Sequence, residues 1–223
     1  MPTNDVNALR VVVLISGSGS NLQALIDGVA TGDLPIEIAA VISNRPDVMG
    51  LTRAANANIP TVVLDHKGFS SREAFDQELM RVIDTYNPGL VVLAGFMRIL
   101  TPEFTEHYLG RMLNIHPSLL PKYQGLHTHQ RAIDANESEH GVTVHFVTAE
   151  LDGGPAVVQA VVPVLPTDDA NLLAKRVQRQ EHVIYPLAVK WFAQGDLIMK
   201  EGKAVLKGET LPVRGHQIKA NEP

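Results

Sequence analysis

An α/β protein, with a mostly parallel sheet and helices packed on both of its faces, is what three features of this 223-residue sequence predict. Short runs such as Arg10 to Ile15 and Leu90 to Ala94 are apolar without alternation, the mark of strands buried on both faces. These runs alternate with stretches whose apolar residues recur at helical spacing, the order that parallel crossovers require. Glycine, proline and amide clusters follow several of the runs, at the strand carboxyl ends where open α/β sheets gather their chemistry.

Composition narrows the class. With 45% hydrophobic and 19% charged residues the chain has a globular profile, and no linker or repeat divides it. One domain is expected over residues 10–211, flanked by polar tails at 1–9 and 212–223. The absence of cysteine excludes a disulfide framework and any Cys-based zinc site. A net charge of −5 argues against a general nucleic-acid binder. No signal peptide or membrane span is legible, so the cytoplasm is the expected compartment.

In chain order, the strand Arg10 to Ile15 leads into Ser16-Gly17-Ser18-Gly19-Ser20-Asn21, and Leu22, Leu25, Ile26, Val29 and Ala30 then mark an amphipathic helix. Glycines let backbone N–H groups approach a ligand, and the helix start behind them favours an anion. The same residues also fit a tight turn with Ser20 and Gln23 as a capping box. The loop lacks both the dinucleotide fingerprint and a P-loop lysine. Next come a strand Glu37 to Ser43, a helix Val48 to Ala57 and a short strand Thr61 to Leu64. Ser70 with Glu73 is expected to cap a helix burying Phe75, Leu79, Val82, Ile83 and Tyr86. After the strand Leu90 to Ala94, Gly95 to Leu100 reads either as the first turn of a helix or as the apolar wall of a pocket for a flat aromatic ligand.

The segment Met112 to Pro121 is the chemical centre of the sequence. If Arg111 to Ile115 is a strand, its period of two puts Asn114 and His116 on one face, and Pro117 ends regular structure there. A carboxamide beside an imidazole suits a reaction that builds charge on a carbonyl oxygen. Asp152, held in a turn by Gly153-Gly154-Pro155, is the candidate carboxylate to orient the ring. A helix from Gln130 to Ala135 and strands Thr143 to Val147 and Val157 to Val164 follow. His127, His129, His140 and His145 suggest a metal site, but no compact set of further ligands accompanies them, so no metal is assigned. Thr167 or Asp168 is expected to cap a long helix with Ile184, Leu187, Ala188, Trp191 and Phe192 on its buried face and a kink at Pro186. Leu197 to Leu211 suggests a hairpin.

Taken together, Gly17-Ser18-Gly19-Ser20-Asn21, Met97-Arg98-Ile99-Leu100, Asn114-Ile115-His116-Pro117-Ser118-Leu119-Leu120-Pro121 and Leu151-Asp152-Gly153-Gly154 resemble the folate-dependent phosphoribosylglycinamide formyltransferases of purine (IMP) synthesis. The resemblance implies a Rossmann-like sheet of the formyltransferase type. It also implies direct transfer of a formyl group from 10-formyltetrahydrofolate, as co-substrate, to the glycinamide amine of phosphoribosylglycinamide. Asn114, His116 and Asp152 match the family's catalytic positions. Gly19, Ser20 and Asn21, with Gln178 and Glu181, match positions that hold the phosphoribosyl substrate. Arg72, Met97, Arg98, Ile99 and Leu100, together with Asn114, match folate contacts, as do Thr148, Ala149, Glu150, Leu151 and Asp152. Ser18 and Ala149 depart from the usual asparagine and acidic residue, which limits a folate contact at Ala149 to backbone or apolar groups. Small molecules are the implied partners, with no nucleic acid or membrane, and a homodimer is compatible with the reading. The rivals are another formyl-folate enzyme, either a formyltetrahydrofolate hydrolase or a methionyl-tRNA formyltransferase, and a nucleotide-binding module without turnover. The two enzymes carry an extra domain for which this chain has no expected room, and the module leaves Asn114, His116 and Asp152 unexplained.

Overall fold

In the computed structural model, which describes residues 8–220, strand β1 (Leu9–Ile15) is an interior strand of an eight-stranded sheet, third from one edge. Residues 1–7, most of the expected N-terminal tail, lie outside the described residues, and Leu9 already belongs to the strand. Alternate side chains of β1 enter different layers. Val11, Val13 and Ile15 pack with Leu22 and Leu25 of α1 (Ser20–Ala30) and with Ile184 and Ala188 of α6 (Ala170–Ala193). Val12 and Leu14 pack with Phe75, Leu79 and Ile83 of α3 (Arg72–Thr85) and with Phe104 of α4 (Pro102–His107). The run has no polar alternation because both of its faces are covered by helices.

The parallel half of the sheet contains β2 (Ile36–Ser43), β3 (Thr61–Val63), β4 (Leu90–Leu93) and β5 (Met112–His116), with α2 (Met49–Asn56) between β2 and β3. Strand β1 pairs with β2 on one side and β4 on the other. The loops after β1 and β4 therefore open side by side. Beyond β5 the direction reverses: β6 (Glu139–Phe146), which follows α5 (Thr128–Asp134), is antiparallel to both β5 and β7 (Ala156–Pro163). Among the described residues no helix is long and apolar enough to cross a membrane.

Several expectations need correction. The stretch 212–223, expected to be a polar tail, contains strand β11 (His216–Lys219), which adds to β7 in parallel. It escapes a hydropathy reading because only Ile218 packs on the core while its neighbours face solvent, as is common at a sheet edge. The expected hairpin is a three-stranded antiparallel sheet of β8 (Leu197–Lys200), β9 (Lys203–Leu206) and β10 (Glu209–Thr210). Ser71, not Ser70, caps α3 by accepting from Ala74 N–H at 3.0 Å. Asp169, not Thr167 or Asp168, caps α6, because the Asp168 carboxylate is taken by Leu165 N–H and Arg176. Pro186 lies inside α6 without ending it. Gly95 to Leu100 is a loop, and α4 begins only after Thr101, which caps it ahead of Pro102.

Two buried features hold β5 and the segment that leaves it. Tyr185 of α6, fully buried, donates its hydroxyl to the carbonyls of Leu93 and Leu113, at 2.6 and 3.1 Å. Behind the segment after His116, Thr143 donates to the Ser118 carbonyl at 2.7 Å and Gln159 to the Leu120 carbonyl at 2.8 Å. Both side chains are inaccessible to solvent, so the chain turns out of the sheet over a satisfied polar network.

Beside that network His140 of β6 meets His129 of α5, ring nitrogens 3.2 Å apart. Burial pushes His140 down to about 4, and the charges of His129 and His116 add to this while Glu137 opposes it. Burial lowers His129 as well. Both rings are neutral in the fold and bind protons more readily once unfolded, so stability is complete above the ordinary histidine range and falls as pH drops from about 6.5 toward 4. Measured unfolding free energies should decline across that window, with His140 contributing roughly 3 kcal/mol at most. The His140→Gln variant should show a flatter profile. An equally steep decline in this variant would contradict the assignment.

Candidate active site

His116 ends β5 and is 7% exposed. Its Nε2 lies 2.8 Å from the carbonyl oxygen of Tyr123. A carbonyl can only accept, so Nε2 carries a proton and Nδ1 is the nitrogen left to gain or lose one. Nδ1 faces Oδ1 of Asp152 at 3.6 Å, with both side chains 9% exposed. That separation is too long for a hydrogen bond, so the carboxylate faces the ring nitrogen without binding it. Asp152 thus meets the imidazole, whereas the ring is held by Tyr123. Asp152 and Tyr123 both adopt the left-handed backbone region, at φ 51° and 55°, unusual for residues with side chains. The two loops are joined where Gly125 N–H donates to Asp152 Oδ2 at 3.0 Å. Gly154 is required next to this turn, since a Cβ there would stand 1.8 Å from the Phe146 carbonyl oxygen.

Asn114 is two residues earlier on β5, hence on the same face as His116. Among the described residues its carboxamide makes no side-chain hydrogen bond, which leaves it available to a ligand. Its cross-strand neighbour is His145, a buried ring bonded to the Phe146 carbonyl through Nδ1 at 2.9 Å and kept neutral by burial.

The glycine-rich loop forms a second group. Gly19 has φ 71°, and a Cβ on it would lie 2.6 Å from Gly50 Cα, so the residue allows α1 and α2 to start against each other. The expected Ser20–Gln23 capping box does not form. Gly19 occupies the cap position without a side-chain bond, and the Gln23 amide donates to Asp27 instead. The first turn of α1 therefore has no side-chain cap competing with an anion. From α6, Glu181 accepts from Asn21 Nδ2 at 3.1 Å and Gln178 donates to Ser20 Oγ at 3.3 Å. Burial raises the Glu181 carboxyl, the Asn21 bond acting against it, and Asn21 Oδ1 is buried without a partner. Arg53 of α2 donates to the Ser18 carbonyl at 2.7 Å and places a cation at this loop that the sequence reading did not single out.

Third, Met97 and Ile99 are 60% and 58% exposed on the loop after β4. This loop is tied to the glycine-rich one, because Met97 N–H donates to Ser16 Oγ at 2.8 Å. Its far end is pinned where Thr101 N–H donates to buried Asp76 at 2.7 Å, and Arg98 stacks over Phe75 at 5.0 Å. Val147, just before the Thr148 to Asp152 turn, shares an apolar cluster with Phe96 and Leu100. Leu151 on that turn is 58% exposed, and Ala149 and Glu150 are also exposed. Arg72 begins α3 and is exposed, and its charge acts on buried Asp76.

A sequence model of the formyl transferase family matches residues 9–189. The phosphoribosylglycinamide formyltransferase of Escherichia coli (strain K12) is 56% identical, over 93% of this chain and 98% of its own length. The trifunctional purine biosynthetic protein adenosine-3 of Drosophila melanogaster is 49% identical over 85% of this chain, which corresponds to 14% of that protein. The solved phosphoribosylglycinamide formyltransferase of Coxiella burnetii superposes with a TM-score of 0.92 at 52% identity, covering 95% of this chain and all of that one. A paired imidazole and carboxylate where β5 leaves the sheet, an uncapped helix start after β1 and near-complete overlap with the Escherichia coli and Coxiella burnetii proteins lead to one assignment: the chain belongs to the formyl transferase family, among the phosphoribosylglycinamide formyltransferases.

Proposed function

We propose that this enzyme moves the formyl group of 10-formyltetrahydrofolate directly to the glycinamide amine of 5-phosphoribosylglycinamide, through a tetrahedral intermediate. The observation that carries the reading is the state of His116: Nε2–H is committed to the Tyr123 carbonyl, and Nδ1 is left beside Asp152 on the face it shares with Asn114. The amine attacks the formyl carbon and the new C–N bond places negative charge on the former carbonyl oxygen. The Asn114 carboxamide and the Nδ1–H of a charged His116 donate to that oxyanion. Asp152 stabilises the charged ring at 3.6 Å without capturing its proton in a hydrogen bond. A proton passes from the attacking amine to N10 of the folate, and collapse of the intermediate breaks the bond to N10, releasing tetrahydrofolate and the formamide.

The phosphate is assigned to the start of α1 at Gly19, Ser20 and Asn21, where a helix N-terminus favours negative charge and Arg53 adds a cation. Gln178 and Glu181 contact the same substrate from α6. The folate ring is assigned to the apolar walls Met97 to Leu100 and Thr148 to Asp152, with its acidic tail toward the exposed Arg72. The chemistry asks for proton transfer and oxyanion stabilisation, and no metal is assigned to it.

Incubation with 10-formyltetrahydrofolate, with and without phosphoribosylglycinamide, tests the reading. Turnover only with both is expected. Water-dependent turnover without the amine would assign a hydrolase, and no turnover would reject the enzyme. The Asp152→Asn variant keeps the turn and removes the charge, so kcat should fall by roughly 10² to 10³-fold, the loss typical of one oxyanion donor. Its KM for phosphoribosylglycinamide should barely change, because the missing interaction acts in the transition state. Near-normal turnover would reduce Asp152 to a turn residue. Asn21→Ala should instead raise KM for phosphoribosylglycinamide and leave that for the folate unchanged. An equal rise in both constants would exclude the phosphate assignment.

A further inference from the structure

The carbonyl that holds His116 belongs to a residue in a left-handed conformation, on a segment outside regular structure. Its position depends on what anchors Tyr123. The Tyr123 hydroxyl donates to Glu137 Oε1 at 2.8 Å, and the neighbouring Lys122 ammonium donates to both oxygens of the same carboxylate, at 2.8 and 2.9 Å. Glu137 is itself fixed in the turn between α5 and β6, its N–H bonded to the Ala132 carbonyl at 3.1 Å. From the same helix Arg131 covers the Tyr123 ring at 5.2 Å and donates to the Gln124 carbonyl at 2.7 Å. The Lys122 carbonyl accepts from Ser118 Oγ at 2.6 Å. One carboxylate thus gathers two consecutive side chains of the segment whose backbone meets the imidazole.

We propose that Glu137 is a positioning residue: by clasping Lys122 and Tyr123 it aims the Tyr123 carbonyl at Nε2 of His116 and so selects the tautomer that leaves Nδ1 for the reaction. The carboxylate does not touch His116 and acts only through the backbone between them. Bonds from Lys122 and Tyr123 hold Glu137 below the usual carboxylate range, so it stays an acceptor across the working pH. The Lys122 side chain is 47% exposed, so the clasp adds little to global stability and its effect is local. The inference rests on the formyl-transfer reading for its kinetic consequence, but the tautomer itself can be measured without either substrate.

The test is ¹⁵N NMR of the histidine rings at a pH where His116 is neutral, on the wild type and on Glu137→Ala, Glu137→Gln and Tyr123→Phe. The wild type should show a protonated Nε2 and an unprotonated Nδ1. Glu137→Ala and Tyr123→Phe should show both tautomers, whereas Glu137→Gln, whose amide oxygen still accepts from Tyr123, should remain close to the wild type. In steady-state kinetics Glu137→Ala should lower kcat about ten-fold or more with both KM values within about two-fold, as expected when a group that orients a reacting side chain is lost. A single Nε2–H tautomer in Glu137→Ala and Tyr123→Phe would overturn the proposal, as would a wild-type ring protonated at Nδ1. A tautomer shift with unchanged kcat would overturn its catalytic half. If the wild type transferred no formyl group, the formyl-transfer reading would fail while the spectra still decided the role of Glu137.

Discussion

The hydrogen bond from His116 Nε2 to the Tyr123 carbonyl is the constraint from which the rest of the site follows. An imidazole has two nitrogens, and a neutral ring carries its proton on one of them. By taking Nε2 the backbone leaves Nδ1 to face Asp152, on a ring whose orientation is already set. A carboxylate in full hydrogen bond to Nδ1 would compete with an oxyanion for the same proton. At 3.6 Å the Asp152 carboxylate faces Nδ1 without forming that bond.

The fold supplies this arrangement at the strand where its sheet changes direction. Parallel strands bring the loops after β1 and β4 to one edge, and the hydroxyl of Ser16 connects them. Antiparallel β6 and β7 then carry Thr143 and Gln159 beneath the segment leaving β5, satisfying the carbonyls exposed when that segment abandons the sheet. An apolar floor could not do this, because each unmet buried carbonyl would destabilise the turn that presents Tyr123. Helix α6 serves both halves. Tyr185 ties the end of β4 to the first half of β5, while Glu181, one turn earlier, reaches the glycine-rich loop.

Much of this was legible in the sequence, for identifiable reasons. The continuous apolar runs of β1 and β4 required two covered faces, and the period of a strand placed Asn114 beside His116. Asp152 could be singled out because the turn around it is written in glycine and proline. Gln178 and Glu181 were reached only through a family resemblance, since nothing local marks one face of a long helix as meeting a loop some 160 residues away. What stayed hidden depended on backbone atoms and tertiary position. The Tyr123 carbonyl has no residue-type signature, Arg53 is one cation among 19 lysines and arginines, and β11 is a strand because Gly215 turns the chain onto β7. The mistaken caps at Ser70 and Asp168 have the same origin: each lies beside an equally suitable residue, and which one meets the helix start is set by local geometry, with Ala74 N–H on Ser71 and Asp168 taken by Arg176.

In the proposed reaction Nδ1 of His116, with the Asn114 carboxamide, receives the oxyanion while Nε2 remains on the Tyr123 carbonyl. A crystal structure with a stable tetrahedral mimic of the formyl-transfer intermediate tests it most directly. The mimic's oxygen should lie within about 3 Å of both His116 Nδ1 and Asn114 Nδ2, with the Nε2 to Tyr123 bond intact. A ring turned to present Nε2 to that oxygen, or an oxygen held by groups other than these two, would contradict it.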